Sequence, residues 1–364
     1  MKWWVRIIVS VLILVIVGGV SVWGYRFFFA PESVEAVTEK WALSGHADAE
    51  SESFVHWVED EPPEIPVFCA KCHSMDGYLD FVGADGTPAG EVDSPVRGVS
   101  ILGCRTCHNE PAHQMTEVEF PSDMVVEEGT QSATCMQCHQ GRRSTQDVDE
   151  ALTGLQLDVV SEDLDFINVH YAIAAATLWG GDVQVGYQYS GKSYVGRFEH
   201  VEGYDTCIEC HDPHATVRNP DECSPCHLNV VDEADLREIR ESEVDYDGDG
   251  DVDEPILSEV TVFHEELYAA IQTYAEDVIG EPIVYDGETF PYFFDDPNGG
   301  EVTFDDQYNS WTPRLVRTAY NYHYVHEDPG AYTHNAEYVL QLLYDSTEDL
   351  GEAVPVELDD FVRP

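Results

Sequence analysis

A mostly α-helical chain with extensive irregular loops is the fold class this sequence predicts, and three observations predict it. The ten cysteines fall without remainder into five motifs: Cys69-Ala-Lys-Cys72-His73, Cys104-Arg-Thr-Cys107-His108, Cys135-Met-Gln-Cys138-His139, Cys207-Ile-Glu-Cys210-His211 and Cys223-Ser-Pro-Cys226-His227. These crowd into residues 69–227, which leaves little room for regular structure between them. Helix-period apolar spacing shows in the tail, at Val260, Phe263, Leu267, Ile271, Tyr274 and Val278 and again at Val339, Leu342, Leu343 and Leu350.

Each Cys-x-x-Cys-His motif is the attachment signature of a c-type haem. The two thiols bond the porphyrin, and the adjacent imidazole lies beneath the ring as one axial ligand to iron. A disulfide framework also gives an even cysteine count, but it does not explain the fixed spacing or the trailing His. A zinc ribbon joins pairs into four-ligand sites, and thioredoxin-like chemistry uses one such motif. Five haem c groups are therefore expected. At this density the porphyrins themselves fill the core of residues 69–230, with short helices carrying the motifs and loops joining them.

The elements follow in chain order. Lys2 and Arg6 precede an uncharged run from Ile7 to Tyr25, closed by Arg26. As a helix this run covers about 28 Å, enough for a bilayer core, so residues 1–26 are expected to be an uncleaved transmembrane anchor. The positive-inside rule keeps Lys2 and Arg6 in the cytoplasm and places the rest on the extracytoplasmic (periplasmic or cell-surface) side. Residues 27–68 form a stalk with helical patches and two candidate ligands, His46 and His56. Between the third and fourth motifs, Val169 to Ala176 has the apolar run of a buried helix. Tyr187 to Tyr194 resembles a hairpin about Ser190-Gly191. Residues 231–364 are expected to be a covering subdomain. Its first helix spans 257–279 and stops at Gly280 and Pro282. An aromatic loop then runs through Tyr292, Phe293, Phe294, Tyr308 and Trp311. The last helix starts at the cap Asn335 and ends at Gly351.

Each iron requires a sixth ligand or an open position. Ten His lie outside the motifs. His214 stands three residues after His211, across Pro213, and should serve a neighbouring haem. His170 lies in apolar sequence, where an unpartnered ring is costly. His200 follows an aromatic residue; His46 and His56 lie near Trp41 and Trp57; His334 abuts a helix start. These six are the candidates for five distal positions. His113 ranks below them, and His264, His323 and His326 read as surface residues. Met75 follows the first motif closely and is a minor alternative ligand. Two-imidazole ligation gives low-spin iron that passes electrons with little rearrangement, which suits a conduit.

Asp245, Asp247, Asp249, Gly250, Asp251 and Asp253 follow the spacing of a calcium loop, with Ile256 where the closing Glu should stand and Glu254 or Glu259 as substitutes. The chain carries 71 Asp and Glu against 17 Lys and Arg, a formal net charge of −54. Such a surface excludes nucleic acid as a partner. It suits solubility in salt and docking of basic redox proteins; a homo-oligomer is a further partner class.

With these features the chain resembles the membrane-anchored multihaem cytochromes c. The resemblance rests on the five motifs, on Ser44-Gly45-His46-Ala47 and His56-Trp57, and on Cys210-His211-Asp212-Pro213-His214. The ending Tyr332-Thr333-His334-Asn335-Ala336-Glu337-Tyr338 is similar to the carboxy-terminal part of multihaem nitrite reductases, where a His before Asn ligates a haem. The resemblance implies closely spaced haems with mostly bis-His iron, and His334 in a ligand role. The chain lacks the Cys-x-x-Cys-Lys haem that gives those reductases an open site. The expected function is electron transfer along five haems outside the membrane. The alternatives are a quinol dehydrogenase subunit feeding a reductase, or a small-molecule, nitrite-type reductase with one open haem.

Overall fold

Three long helices organise the carboxy-terminal part: α1 (Ile256–Tyr274), α2 (Pro313–His326) and α3 (Ala331–Gly351). They pack on one another in the computed structural model, which describes residues 32–295 and 302–364. The anchor expected over 1–26 lies outside the described residues. Among the described residues no helix is long and apolar enough to cross a membrane.

The apolar stripe of α1 is buried at Val260, Phe263, Leu267, Ile271 and Tyr274, the spacing of one helix face. Val278 departs from it and is exposed. A π-helical turn over Ala275–Ile279 follows α1, and the extra residue in that turn rotates the stripe away from the core. Gly280 then ends the segment with φ +88°, a left-handed conformation that Gly adopts without strain.

Helix α2 follows the expected aromatic loop, in a stretch for which the sequence predicts no element. Its start has a clear physical cause. The Thr312 hydroxyl accepts from the Leu315 amide at 3.2 Å, and Pro313 occupies the first turn, where its missing N–H costs nothing. Twelve of its residues, from Pro313 to Val325, are buried, among them Arg314, Asn321 and His323. Helix α3 is broken at Asn335, whose φ of −169° and ψ of 80° are extended. The Asn335 side chain accepts from the Tyr338 amide at 3.2 Å and so caps the longer part of the helix, as its residue type suggests. Val339, Leu342, Leu343 and Leu350 are fully buried.

The motif-bearing part is different in kind. Its helices are short: Val67–His73, Cys104–Cys107, Thr130–Met136, Cys207–Cys210 and Pro220–Cys223. Its sheet structure among the described residues amounts to two-stranded antiparallel pairs, Glu64–Ile65 with Val96–Arg97 and Glu117–Glu119 with Val125–Glu127. The helix expected over 169–176 is reduced to Ala174–Trp179. His170 and Ala172 hold φ of +82° and +52°, which ends helical geometry there. The hairpin about Ser190-Gly191 is a turn without a strand ladder, closed by the Lys192 amide to the Tyr189 carbonyl at 3.1 Å.

The two parts share one apolar core, which joins Val118 to Tyr187 with α1, α2 and α3. The loops of this region are irregular, so their backbone groups are satisfied by side chains. Asn321 of α2 clamps Tyr187 by donating to its carbonyl at 2.9 Å and accepting from its amide at 2.8 Å. The Tyr320 hydroxyl donates to the Val185 carbonyl at 2.7 Å. Arg314, 3 % exposed, binds Asp158 at 2.7 Å and also Asp349 and Glu352, so a buried cation ties the loop to α2 and α3.

Candidate haem centres

Each motif sets its His at the end of a short helix or within four residues of it. What surrounds the His ring is a second imidazole in all five motifs. The ring centres are 5.8 Å apart for His73 and His170, 6.3 Å for His108 and His214, and 6.3 Å for His139 and His46. They are 6.4 Å apart for His211 and His334 and 6.0 Å for His227 and His200. Two imidazoles on opposite sides of one metal ion, with bonds of about 2.0 Å in line and about 1.1 Å from nitrogen to ring centre, give about 6.2 Å. The pairs therefore fit an iron between them.

Ring orientation agrees with that geometry. The His73 Nδ1–H donates to the Ser53 carbonyl at 2.8 Å, and the His139 Nδ1–H to the Ala172 carbonyl at 3.0 Å. A carbonyl can only accept, so Nδ1 carries the proton and Nε2 is free to bind metal. The Nε2 atoms of His73 and His170 face each other at 3.5 Å, too long for a good hydrogen bond. Burial lowers the pKa of His46, His73, His139 and His211. It brings His170 down to about 4, with Arg142 and His73 adding to the effect. These rings are held neutral, the form that ligates.

His334 is the exception. Burial opposes its charged form, yet the Asp328 carboxylate, at 2.8 and 2.9 Å from Nδ1, outweighs burial and raises the pKa. Asp328 is itself 3 % exposed and also accepts from the Gly330 amide at 3.1 Å. No local sequence pattern marks Asp328; a carboxylate six residues before a His carries no signal of its own.

His56 is not brought to any motif. Its Nδ1 binds Glu52 at 2.8 Å in solvent, and its ring abuts Trp57, which in turn stands edge-on to His73. Its neighbour Trp57, not His56, reaches the first motif. His113 lies 5.9 Å from His108 but is solvent-exposed, on the short helix Glu110–Gln114. Met75 packs its sulfur against Gly103, where an added Cβ would meet Sδ at 2.9 Å. His323, read as a surface residue, is fully buried; its ring lies between the Tyr285 hydroxyl at 2.9 Å and Asn168 Oδ1 at 3.0 Å. His264 is partly buried and donates to the Tyr322 carbonyl at 2.9 Å, while His326 is exposed.

None of the ten cysteines is paired in a disulfide. Their neighbours arrange the motifs in space. Cys72 faces Cys138, and Cys135 faces Cys207, each pair close enough to share a proton. One thiol of each pair is pulled down to about 7, Cys72 and Cys207, while its partner is pushed up. Cys107 feels the charge of Cys104, and Cys135 that of Cys107. Cys210 feels that of Cys223. The third motif is thus central, with the first, second and fourth around it and the fifth beyond the fourth. When bound, haem supplies a one-electron iron couple; the chain's own groups hold the axial rings, fix their protons and bring the attachment points together.

The acidic loop gathers Asp245, Asp247 and Asp249 so that one oxygen of each lies within 4.8 Å of the others. Asp251 and Asp253 lie outside this cluster, and the Asp251 carboxylate accepts from the Asp253 amide at 2.9 Å. Glu259 is buried, accepts from the Tyr246 amide at 2.8 Å and faces Arg240. Glu254 holds a buried carboxylate oxygen with no hydrogen-bond donor.

Comparison with known proteins agrees with the class that the motifs define, a multihaem c-type cytochrome. C-type polyheme cytochrome OmcB of Geobacter sulfurreducens is 24 % identical over 352 residues, covering 79 % of this chain and 44 % of that protein. C-type polyheme cytochrome OmcC of the same organism is 23 % identical over 376 residues, covering 85 % of this chain and 46 % of that protein. The chain spans less than half the length of these curated relatives. No family model and no solved structure matches it. The relatives are polyheme c-type cytochromes, which supports haem c as the group the five motifs attach.

Proposed function

We propose that the chain carries electrons along five covalently bound haem c groups, each iron held between two histidines. The pairs are His73 with His170, His108 with His214, His139 with His46, His211 with His334, and His227 with His200. The observation that carries this reading is the presence of a second imidazole at iron-spanning distance from every motif His. With all five spheres closed, no iron is left for substrate, which favours a conduit over a nitrite-type reductase. The contacts between attachment cysteines favour a route from the first motif through the third to the fourth and fifth, with the second beside the third.

The experiment is an intact-mass count of haems followed by carbon monoxide addition to the reduced protein. Five haems per chain and no carbon monoxide adduct are expected. One bound carbon monoxide per chain would instead point to an open haem and a reductase.

The location is part of the same proposal. The apolar run before Arg26 anchors the chain, and the haems face outward, where a charge of −54 recruits basic redox partners. Membrane fractionation and protease access from outside test this. Calcium is proposed for the loop around Asp245, Asp247 and Asp249, where burial and like charges raise the pKa of Asp247 and a divalent cation would relieve both. Calorimetric heat at millimolar calcium is expected; its absence removes the site.

A further inference from the structure

The five imidazole pairs differ in what holds their outer nitrogens. His73 and His139 donate to the backbone carbonyls of Ser53 and Ala172, which are neutral. His227 faces Glu241 at 3.3 Å, but that carboxylate is 78 % exposed and screened by water. His214 lies 4.0 Å from Asp212, beyond hydrogen-bond reach. His334 alone donates Nδ1–H to a buried carboxylate, Asp328, at 2.8 Å.

We infer that Asp328 is a positioning residue that makes the haem closed by His211 and His334 the one of lowest potential among the five. The inference rests on the bis-His reading given above. Its physics is that of outer-sphere tuning. A carboxylate that accepts the Nδ1 proton makes the imidazole a stronger electron donor to iron. Its full negative charge, on a carboxylate buried to 3 % exposure, also favours ferric over ferrous iron. Both effects stabilise the oxidised state, so the electron that enters this iron is held less tightly than at the other four.

The site is built for this. Asp328 is fixed from behind by the Gly330 amide at 3.1 Å, and the absence of a side chain at Gly330 lets the His334 ring approach, since a Cβ there would meet Cε1 at 2.6 Å. The break in α3 at Asn335 turns His334 out of the helix and toward the fourth motif. Asp328 also lies within electrostatic reach of His139 in the third motif. It therefore stands at the passage between the central haem and the fourth, where a low-potential step gates transfer toward the fifth.

The test uses the full haem-loaded chain and a spectroelectrochemical titration with Asp328→Asn, which keeps the shape and removes the charge. The lowest of five one-electron transitions should move so that its ferric-to-ferrous ratio at fixed potential falls at least tenfold, 59 mV for a one-electron couple. Asp328→Glu, which keeps the charge, should restore the low potential. Five unmoved midpoints in Asp328→Asn, or an equal rise in Asp328→Glu, would overturn the inference. If Asp328→Asn does not fold, His334→Met decides: it should displace the lowest transition, and displacement of any other overturns the assignment. Haem count and low-spin spectrum of the unaltered protein report on the bis-His reading separately, so the two failures are distinguishable.

Discussion

The motif-bearing part and the three-helix part of this molecule solve the same problem in opposite ways. In α1, α2 and α3 the chain buries its own side chains: Tyr274, Tyr320, Tyr324 and Tyr338 are all fully enclosed, as is Trp311 just before α2. Around the first, second, fourth and fifth motifs the helices are a turn or two long, and four of the eight cysteines are exposed. Such short helices are unstable on their own. On the five-haem proposal, the covalent groups and their axial rings add to the shared apolar core in holding that part together. The third motif is the hinge of the comparison, because its Met136 belongs to the apolar core while its thiols meet those of two other motifs.

That contrast can be broken, and the largest effect should come from the third motif. Replacing Cys135 and Cys138 by Ala should leave four haems and strip hydrogen-exchange protection from residues 40–112 and 200–230, while α1, α2 and α3 stay protected. Equal loss in the helices, or no loss around the other motifs, would mean that the two parts are not separately held. Next in size is the double substitution Arg314→Met with Arg317→Met, which leaves Asp349 buried without either of its guanidinium partners; a buried pair broken on one side costs about 3–5 kcal/mol. Denaturant unfolding should show that loss in the helical part with all five haems still attached.

A smaller effect comes from Glu327, whose carboxyl burial pushes up to about 7 from 4.5. Below pH 4.5 the group is protonated folded and unfolded. As pH rises from 4.5 to about 7 the unfolded chain loses the proton and the folded chain keeps it, so stability falls through that window and then levels. The fall is about 3 kcal/mol at most. Glu327→Gln should flatten this slope; an unchanged slope assigns it to other groups. Smallest is Gly330→Ala, whose Cβ crowds the His334 ring. It should cost about 1–3 kcal/mol and alter the visible spectrum of a single haem.

The sequence shows the motif-bearing part more clearly than the helical part, though the helical part is the more regular. Covalent attachment writes its residues at fixed spacing, so every thiol and motif His could be read directly. Distal rings have no fixed spacing, and only local apolar context marks them. That context singles out His46, His170, His200, His214 and His334, which the structure brings to motif imidazoles, but it also raises His56, which belongs to Trp57 and solvent. In the helical part the stripes of α1 and α3 were legible because their period is plain. Helix α2 was not, because its buried face is made of Tyr, Asn, Arg and His, which read as surface in a list of residue types. The Thr312-Pro313 start was the available signal. Asp328 and the carbonyls of Ser53 and Ala172 were beyond reach, since each acts through a distant contact that no local pattern encodes.

Electron paramagnetic resonance of the fully oxidised protein, integrated against its haem count, tests the five-pair account most directly. The pairing predicts that every one of five irons per chain is low-spin, because each has an imidazole on both sides. A high-spin ferric signal amounting to one iron per chain would contradict it.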